Sequence, residues 1–465
     1  MLPHHPSLRR ISDCFVKPDC LPQESKQPYY LNLWDLTMLS VNYIQKGLLF
    51  LKPSEAYGDP HNFMLTLLHR LKNSLSTALF HFYPLTGRFC TANNHIDGQA
   101  SIFIYVDCIN SPGAKFTHAA LDATISDILS PNDDEPLLLQ SLFDLNGAVN
   151  YDAHTLPILS IQVTELLDGI FIGSSLNHSI GDGTSHWNFF RTWSEIFNDV
   201  PISRAPILKQ WFPKGYGPII NLPFTHPDQF ISRSVSVAPQ KLRERVFHFS
   251  KESIAKLKAR ANAECGTNEI SSFQALCALV WRSITRARSV AEDQSSSCKL
   301  FANNRGRLEP PLCEDHFGNI VTAVKAEAKA GELVEAGVGW GAWKLHEAVV
   351  DNKYEKLREE VEKWLQSPSF HRFGEGMDPY AVVITSSPRF KIYENEFGMG
   401  KAMGVRSGCG NKFDGKATSY PGRDGGGSVD LEITLLPKNM ANLESNTEFM
   451  ASVSYSSPPH LHHHC

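Results

Sequence analysis

The spacing of apolar side chains predicts a chain that uses both helices and strands. Across residues 62–80, apolar positions recur every three or four residues, which is the period of a helix with one buried face. The helix should end before Pro84, because proline cannot continue it. The apolar positions that define the buried face are Met64, Leu67, Leu68, Leu71, Leu75 and Leu79.

A hairpin and a second helix are predicted later in the same half of the chain. Residues 158–167 and 170–176 are predicted to be its two strands, because the Asp-Gly pair between them is typical of a hairpin turn. Residues 184–197 then show helical spacing, with either Asp182 or Thr184 as the N-cap. The aromatic side chains expected on the buried side of this helix are Trp187, Phe190 and Trp193.

The second half of the chain repeats this mixture of elements. Residues 201–240 are rich in Pro and Gly and lack periodicity, which indicates a crossover loop. A strand over 243–249 and a helix capped by Ser250 should follow. The other elements predicted here are helices over 269–288 and 343–365 and strands over 379–387 and 428–436.

The chain has 465 residues, which favours two domains, and strands mixed with helices in both halves indicate an α/β fold. We expect an N-terminal domain over residues 1–200, the crossover loop over 201–240 and a C-terminal domain over 241–465. The last residues, from about 455 to 465, should form a disordered tail.

The composition limits the binding partners and the cellular compartment that we expect for this protein. Hydrophobic residues make up 42% of the chain and charged residues 20%, with a net charge of −5 and no basic block, so we expect no nucleic-acid partner. No apolar run reaches the roughly 18–20 residues of a membrane span, and the N-terminus lacks the apolar core of a signal peptide. The ten cysteines show no metal-site spacing, so we expect them to be reduced and mostly buried in a cytoplasmic protein without a metal site.

The sequence LNHSIGDG, over residues 176–183, is the strongest candidate for chemistry. His178 follows the hairpin's second strand directly, and a neutral imidazole accepts a proton near neutral pH. Asp182 either orients that imidazole or binds an arginine elsewhere, and we favour the second role. The spacing H-x-x-x-D alone is common, so an ordinary loop histidine remains an alternative.

Several longer blocks make the chain resemble the plant BAHD acyltransferases, which move acyl groups from coenzyme A thioesters to alcohols or amines. The block LNHSIGDGTSHWNFFRTWSEI is similar to the H-x-x-x-D-G motif and the helix after it. ISSFQALCALVWRSITRAR and NNRGRLEPPLCEDHFGNIV resemble two blocks of the second domain, and NEFGMGKA stands where the family carries D-F-G-W-G. Glu396, Met399 and Ser387 depart from the usual Asp, Trp and Trp, and the variant resembles a subgroup of acetyltransferases whose substrates are undefined.

The resemblance implies two similar chloramphenicol-acetyltransferase-like α/β domains with a solvent channel between them, and part of 385–425 packed on the first domain. It implies a monomeric enzyme with acyl-CoA as co-substrate, no permanently bound cofactor and a small-molecule alcohol or amine as acceptor. His178 would be the general base, Asp182 a structural residue paired with Arg305, and Thr385 a possible oxyanion donor. Lys256, Lys258, Ser271 and Ser272 are the residues that we expect to bind coenzyme A.

Two other functions stay open at this point. The same scaffold could host a lyase or hydrolase reaction on a small metabolite, because a fold does not determine a function. A catalytically silent binding protein is the second alternative.

Overall fold

A computed structural model describes residues 7–96, 98–129, 136–233, 241–372 and 378–454. Its strands build two six-stranded sheets and one three-stranded sheet. The strands are β1 (Arg9–Val16), β2 (Tyr29–Tyr30), β3 (Ile44–Leu51), β4 (Arg88–Ile96), β5 (Gln99–Asp107), β6 (Ala114–Ala120), β7 (Leu159–Glu165), β8 (Gly169–Leu176), β9 (Arg243–Phe249), β10 (Ser295–Asn303), β11 (Val321–Lys329), β12 (Val382–Thr385), β13 (Gly404–Ser407), β14 (Lys416–Pro421) and β15 (Val429–Leu435).

The helices lie between these strands and pack on the sheets. They are α1 (Leu33–Thr37), α2 (Glu55–Gly58), α3 (Pro60–His81), α4 (Ile125–Leu129), α5 (Pro136–Ser141), α6 (Gly183–Phe197), α7 (Lys251–Cys265), α8 (Ser272–Ala287), α9 (Ala330–Glu335), α10 (Gly337–Val350), α11 (Tyr354–Gln366), α12 (Pro437–Glu444) and α13 (Thr447–Met450). The predicted α/β character is confirmed.

The first sheet has the strand order β1-β6-β7-β8-β3-β13. The predicted hairpin is confirmed, because β7 and β8 pair antiparallel across a tight turn. Helices α3 and α6 form as predicted, and Asp182 rather than Thr184 caps α6. The aromatic residues predicted on the inner side of α6 are buried in one hydrophobic core with the leucines of α3.

The second sheet has the order β11-β10-β12-β14-β15-β9. One of its faces packs against α7, α8 and α10 in a second hydrophobic core. Ser250 caps α7 as predicted, because its hydroxyl accepts a hydrogen bond from the Ser253 amide at 3.1 Å.

One short strand from the second half belongs to the first sheet. β13 pairs antiparallel with β3, with Ser407 opposite Lys46. The strand lies within the segment 385–425 that we expected near the first domain. It brings the following strand, β14, close to the first sheet.

Two predictions were wrong. The helix predicted over 343–365 is two helices, α10 and α11, separated around Asn352. The Asn352 amide is buried and donates to Asn304 Oδ1 at 2.9 Å, so a distant contact sets the break. The cysteines in the described part of the chain are free thiols, but among them only Cys108, Cys277 and Cys298 are buried.

Two other expectations concern residues outside the described ranges. They are residues 234–240 of the crossover loop and the tail from 455 onward. Within the described ranges, no helix is both long enough and apolar enough to cross a membrane.

Candidate functional site

His178 lies two residues beyond the end of β8, and its backbone is held from both sides. Its amide donates to Asn150 Oδ1 at 2.8 Å, and its carbonyl accepts from Asn319 Nδ2 at 2.7 Å. Asn319 comes from the second half of the chain, 141 residues later. The histidine is therefore held at a junction between the two halves, which makes a rigid platform for chemistry.

The His178 ring is only partly exposed, and its Nδ1 atom is buried without a hydrogen-bond partner among the described residues. Burial lowers the pKa of His178 below its ordinary value of 6.5, and the charge of Lys416 lowers it further. The carbonyl of His178 itself, the charge of Asp182 and the Asn319 side chain offset part of that effect. The imidazole is consequently neutral near pH 7, as a general base must be.

Asp182 and Arg305 form a buried bidentate ion pair, so the predicted contact is present. Arg305 Nη1 lies 2.7 Å from Asp182 Oδ2, and Nη2 lies 3.2 Å from Oδ1. Both side chains are almost fully excluded from solvent, at 0% and 2% exposure. Burial alone would raise the pKa of Asp182, but the guanidinium and backbone amides hold that pKa below its ordinary value.

The same carboxylate also anchors local backbone. It accepts from the Ser185 amide at 2.9 Å as the N-cap of α6, and from the Ile320 amide at 3.2 Å. Gly181 allows the chain to turn tightly here, because a Cβ at this position would lie 2.7 Å from the Cβ of Ser185. Asp182 thus fixes the loop and joins the two halves through Arg305 and the Ile320 amide.

Asp35 is a second buried carboxylate close to the His178 loop, and it was not predicted from the sequence. Asp35 is fully buried, and its Oδ1 accepts from both the backbone and side-chain amides of Asn319, at 2.9 and 2.8 Å. Its Oδ2 accepts from the Asn32 amide and from Gln210 Nε2, both at 3.0 Å. Burial raises the pKa of Asp35 to about 7 despite these bonds. The spacing of Asn32 and Asp35 as a capping box is the one signal that could have singled it out.

Thr385 is the last residue of β12 and is partly exposed. Its hydroxyl donates to the Ala417 carbonyl at a long 3.4 Å. In the sheet it lies opposite Thr418, two residues from the pair of Val383 and Lys416. Its role as an oxyanion donor stays a prediction.

The residues expected to bind coenzyme A lie on two consecutive helices. Lys256 and Lys258 are exposed on α7, on either side of the buried Leu257. Ser271 caps α8, where its hydroxyl accepts from the Gln274 amide at 3.2 Å, and Ser272 is the first residue of that helix. The Ser271 hydroxyl already has a structural use, whereas both ammonium groups face solvent.

The segment that departs from D-F-G-W-G packs against α6. The Glu396 backbone bonds the Ser194 hydroxyl twice, as donor at 2.9 Å and as acceptor at 2.7 Å. The Glu396 side chain is exposed, so the change from Asp leaves these contacts intact. Phe397 is fully buried, with its ring centroid 4.7 Å from that of Trp193. Met399 packs at the edge of this core, and Ser387 Oγ accepts from the Arg389 amide at 3.2 Å.

Within the described ranges, no group of three or more His, Cys, Asp or Glu side chains is placed to hold a metal ion. The arrangement as a whole is a neutral histidine at the end of a strand, on a loop that a buried ion pair holds in place. Such a set is suited to proton transfer.

Comparisons with known proteins identify the family of this chain. A family model described as the Transferase family matches residues 10–450. An uncharacterized acetyltransferase of Arabidopsis thaliana is 36% identical over 448 residues, with 95% of this chain and 98% of the relative covered. The BAHD acyltransferase DCR of the same plant is 32% identical over 460 residues, covering 96% and 93%.

Solved structures share the fold. The crystal structure of vinorine synthase matches with a TM-score of 0.72 at 21% identity, covering 96% of this chain and 99% of that one. The structure of F. sporotrichioides TRI101 complexed with coenzyme A and T-2 matches with a TM-score of 0.71 at 16% identity, covering 92% and 99%. These matches confirm the predicted two-domain α/β fold.

Proposed function

Because the chain belongs to the BAHD acyltransferase family, we propose that it transfers an acyl group from a coenzyme A thioester to a small plant metabolite. The accepting atom is a hydroxyl oxygen or an amine nitrogen, and His178 is the general base. The observation that carries this proposal is the neutral His178, held between Asn150 and Asn319 where the two halves meet.

The reaction begins when the acceptor O–H or N–H gives its proton to His178. Because Nδ1 is buried, Nε2 is the nitrogen left for the acceptor. The acceptor atom attacks the thioester carbonyl and forms a tetrahedral oxyanion, which collapses and breaks the C–S bond. The protonated His178 then returns its proton to the leaving thiolate, so the enzyme ends in its starting state.

Two neighbouring groups have supporting roles in this proposal. Thr385 donates its hydroxyl hydrogen to the oxyanion, which it can do because its bond to Ala417 is long. Asp182 holds the loop through Arg305 and does not touch the substrates. Its negative charge also favours the protonated imidazole that forms during the reaction.

The donor is proposed on two grounds. The structure of the fold relative TRI101 is described as a complex with coenzyme A. The exposed ammonium groups of Lys256 and Lys258 are suited to pair with its phosphates, with Ser271 and Ser272 nearby on the next helix. A lyase, a hydrolase or a silent binding protein is not favoured by the family match.

Release of free thiol tests the proposal. The purified protein is mixed with acetyl-, malonyl-, benzoyl- or coumaroyl-CoA and a plant metabolite extract, beside His178→Ala. We expect thiol from one donor class with the wild type and at least about 100-fold less with the variant, since general-base help contributes about 10²–10⁴-fold.

His69→Ala is the matched control, because His69 is exposed on α3 and should leave the rate unchanged. If His178→Ala retained a near-normal rate, the base would be another residue. If no donor released thiol above the variant's background, acyl transfer itself would be wrong.

A further inference from the structure

The short helix α1 supports both peptide groups of His178. Asn150, which accepts from the His178 amide, donates from Nδ2 to the carbonyl of Met38, the C-cap residue of α1, at 2.7 Å. Asn319, which donates to the His178 carbonyl, is itself held by Asp35 of the same helix. All five residues of α1 are buried. The position of the proposed base therefore depends on one short buried helix that is distant from it in sequence.

Asp35 makes more bonds than its place in the capping box of α1 requires. The cap uses Oδ2, which accepts from the Asn32 amide. Oδ1 instead accepts from the backbone and side-chain nitrogens of Asn319, at 2.9 and 2.8 Å. In contrast to Asp182, whose partner is a guanidinium, Asp35 takes its bonds from four neutral amide groups. A buried charge of this kind is costly, so its presence beside a proposed base favours a role in function.

Oδ1 of Asp35 determines which way the Asn319 amide faces. The Nδ2 atom of Asn319 carries two hydrogens, and it donates to Asp35 Oδ1 at 2.8 Å and to the His178 carbonyl at 2.7 Å. The Oδ1 atom of Asn319 is buried and has no hydrogen-bond partner among the described residues, so no bond of its own fixes the orientation. If the amide were turned over, this oxygen would face a carboxylate and a carbonyl, which repel it. Asp35 therefore keeps Nδ2 directed at the His178 carbonyl.

Two carboxylates hold consecutive amides of the segment that carries Asn319. The Asn319 backbone amide donates to Asp35 at 2.9 Å, and the Ile320 amide donates to Asp182 at 3.2 Å. The carbonyl of His178 and the Asn319 side chain both favour the protonated imidazole. A displacement of this segment would therefore change the base itself as well as the fold around it.

We propose that Asp35 is a positioning residue for acyl transfer: it orients Asn319, which holds the His178 carbonyl and so directs the imidazole at the acceptor. This role rests on the proposed function and adds to it a residue that touches neither substrate. The crossover loop supports the same carboxylate, because Gln210 donates from Nε2 to Asp35 Oδ2 at 3.0 Å and to the Tyr29 hydroxyl at 2.7 Å.

Asp35→Asn tests the proposal through the kinetics of thiol release. The single oxygen of an amide accepts two bonds, so at least two of the four donors to Asp35 lose their acceptor. We expect kcat to fall about 10- to 100-fold, because small displacements of a catalytic group have effects of this size, while KM for the acyl-CoA stays within about twofold. Gln210→Met is a milder variant that removes one bond to Asp35 and keeps the test possible if Asp35→Asn does not fold. It should lower kcat about two- to tenfold, as the loss of one hydrogen bond allows.

Asp144→Asn is the matched control, because it makes the same chemical change in another largely buried carboxylate. Asp144 pairs with Lys115 Nζ and accepts from the Ser160 hydroxyl, both at 2.8 Å, on strands β6 and β7. This control should lower the melting temperature without changing kcat.

Exchange of the two side chains separates positioning from a purely structural contact. Asn319→Asp places two carboxylates together, so its melting temperature should be below that of the wild type. Asp35→Asn/Asn319→Asp removes this repulsion, and its melting temperature should rise above that of Asn319→Asp. The exchanged pair has no amide nitrogen at position 319, so the His178 carbonyl still lacks its side-chain donor and kcat should remain at least about tenfold below the wild type. If kcat recovered together with stability, Asp35 would have a structural role alone and the proposal would be wrong.

Nitrogen-15 NMR of histidine-labelled protein measures the effect on the base without any reaction. The His178 signals are those that His178→Ala lacks. Because the His178 carbonyl and Asn319 favour the protonated ring, the pKa of His178 should be lower in Asp35→Asn than in the wild type and in Asp144→Asn.

The possible outcomes separate the two proposals. If folded Asp35→Asn keeps both the wild-type kcat and the wild-type pKa of His178, the positioning role is wrong and acyl transfer stands alone. If the pKa of His178 moves but the wild type releases thiol from no donor, the positioning of His178 stands and acyl transfer is wrong.

Discussion

Replacing Asp182 with asparagine should destabilise the protein strongly. The substitution removes the charge that faces a guanidinium with no solvent access. Breaking a buried ion pair from one side costs about 3–5 kcal/mol. Arg305 keeps its bonds to the His316 carbonyl at 2.8 and 3.0 Å and to the Gly318 carbonyl at 3.0 Å. We therefore expect the lower end, a loss of about 3 kcal/mol in the free energy of unfolding.

Denaturation by urea, followed by tryptophan fluorescence, measures this loss. Trp193 is fully buried in the core of the first half and reports its unfolding. Glu394→Gln makes the same chemical change in the exposed pair of Lys391 and Glu394, whose side chains are 74% and 64% accessible. That control should change the free energy of unfolding by less than about 0.5 kcal/mol.

The double variant Asp182→Asn/Arg305→Met separates charge burial from packing. With both charges removed, no uncompensated ion remains. The free energy of unfolding should therefore fall by clearly less in the double variant than the sum of the decreases in the two single variants. A loss below about 1 kcal/mol for Asp182→Asn, indistinguishable from Glu394→Gln, would refute the role of this pair in joining the halves.

Further predictions concern the neighbourhood of His178. Asn319→Ala removes hydrogen bonds to Asp35 and to the His178 carbonyl, so urea unfolding should show a loss of about 1–3 kcal/mol and kinetics a lower kcat. In a plot of kcat/KM against pH, the acid limb should fall with an apparent pKa below 6.5, because burial and the charge of Lys416 lower the pKa of His178. Lys416→Met should move that limb to higher pH. An unmoved limb would contradict the effect of the Lys416 charge on His178. Lys416→Met should raise the free energy of unfolding relative to the wild type by more at pH 6 than at pH 9. Burial lowers the pKa of Lys416 from 10.5 to about 7 on folding, so this lysine destabilises the folded protein fully below about pH 7 and progressively less as pH rises toward 10.5. Glu396→Asp should change the free energy of unfolding by less than about 0.5 kcal/mol, because that side chain is exposed. A larger change would mean that the Glu396 side chain makes a stabilising contact.

Local patterns were enough to predict the elements that carry the site. The apolar period of α3 and α6 and the hairpin of β7 and β8 each lie within a short stretch, where side-chain alternation decides the structure. The break at Asn352 was missed because the helical period continues on both sides of it. Its cause is a bond to Asn304, 48 residues earlier, which no local window contains.

Some residues of the candidate site could also be predicted from local sequence, and others could not. His178 and Asp182 stand out because they share one short stretch between a strand and a helix. Asp35 and Asn319 reach the same place from segments 284 residues apart, so only the fold reveals their contact. Lys46 resembles any lysine in a half-buried strand, and its hydrogen bond to Tyr420 of the second sheet depends on how the two sheets pack.

Transfer of a labelled acyl group tests the central claim most directly. The donor identified by thiol release is prepared with ¹³C at the acyl carbonyl and incubated with the enzyme and the acceptor-containing extract, and the products are measured by mass spectrometry. We expect the label in one new ester or amide, in equal amount to the free thiol, and its absence with His178→Ala. Label recovered as the free acid, or retained on coenzyme A while metabolites are consumed, would contradict acyl transfer.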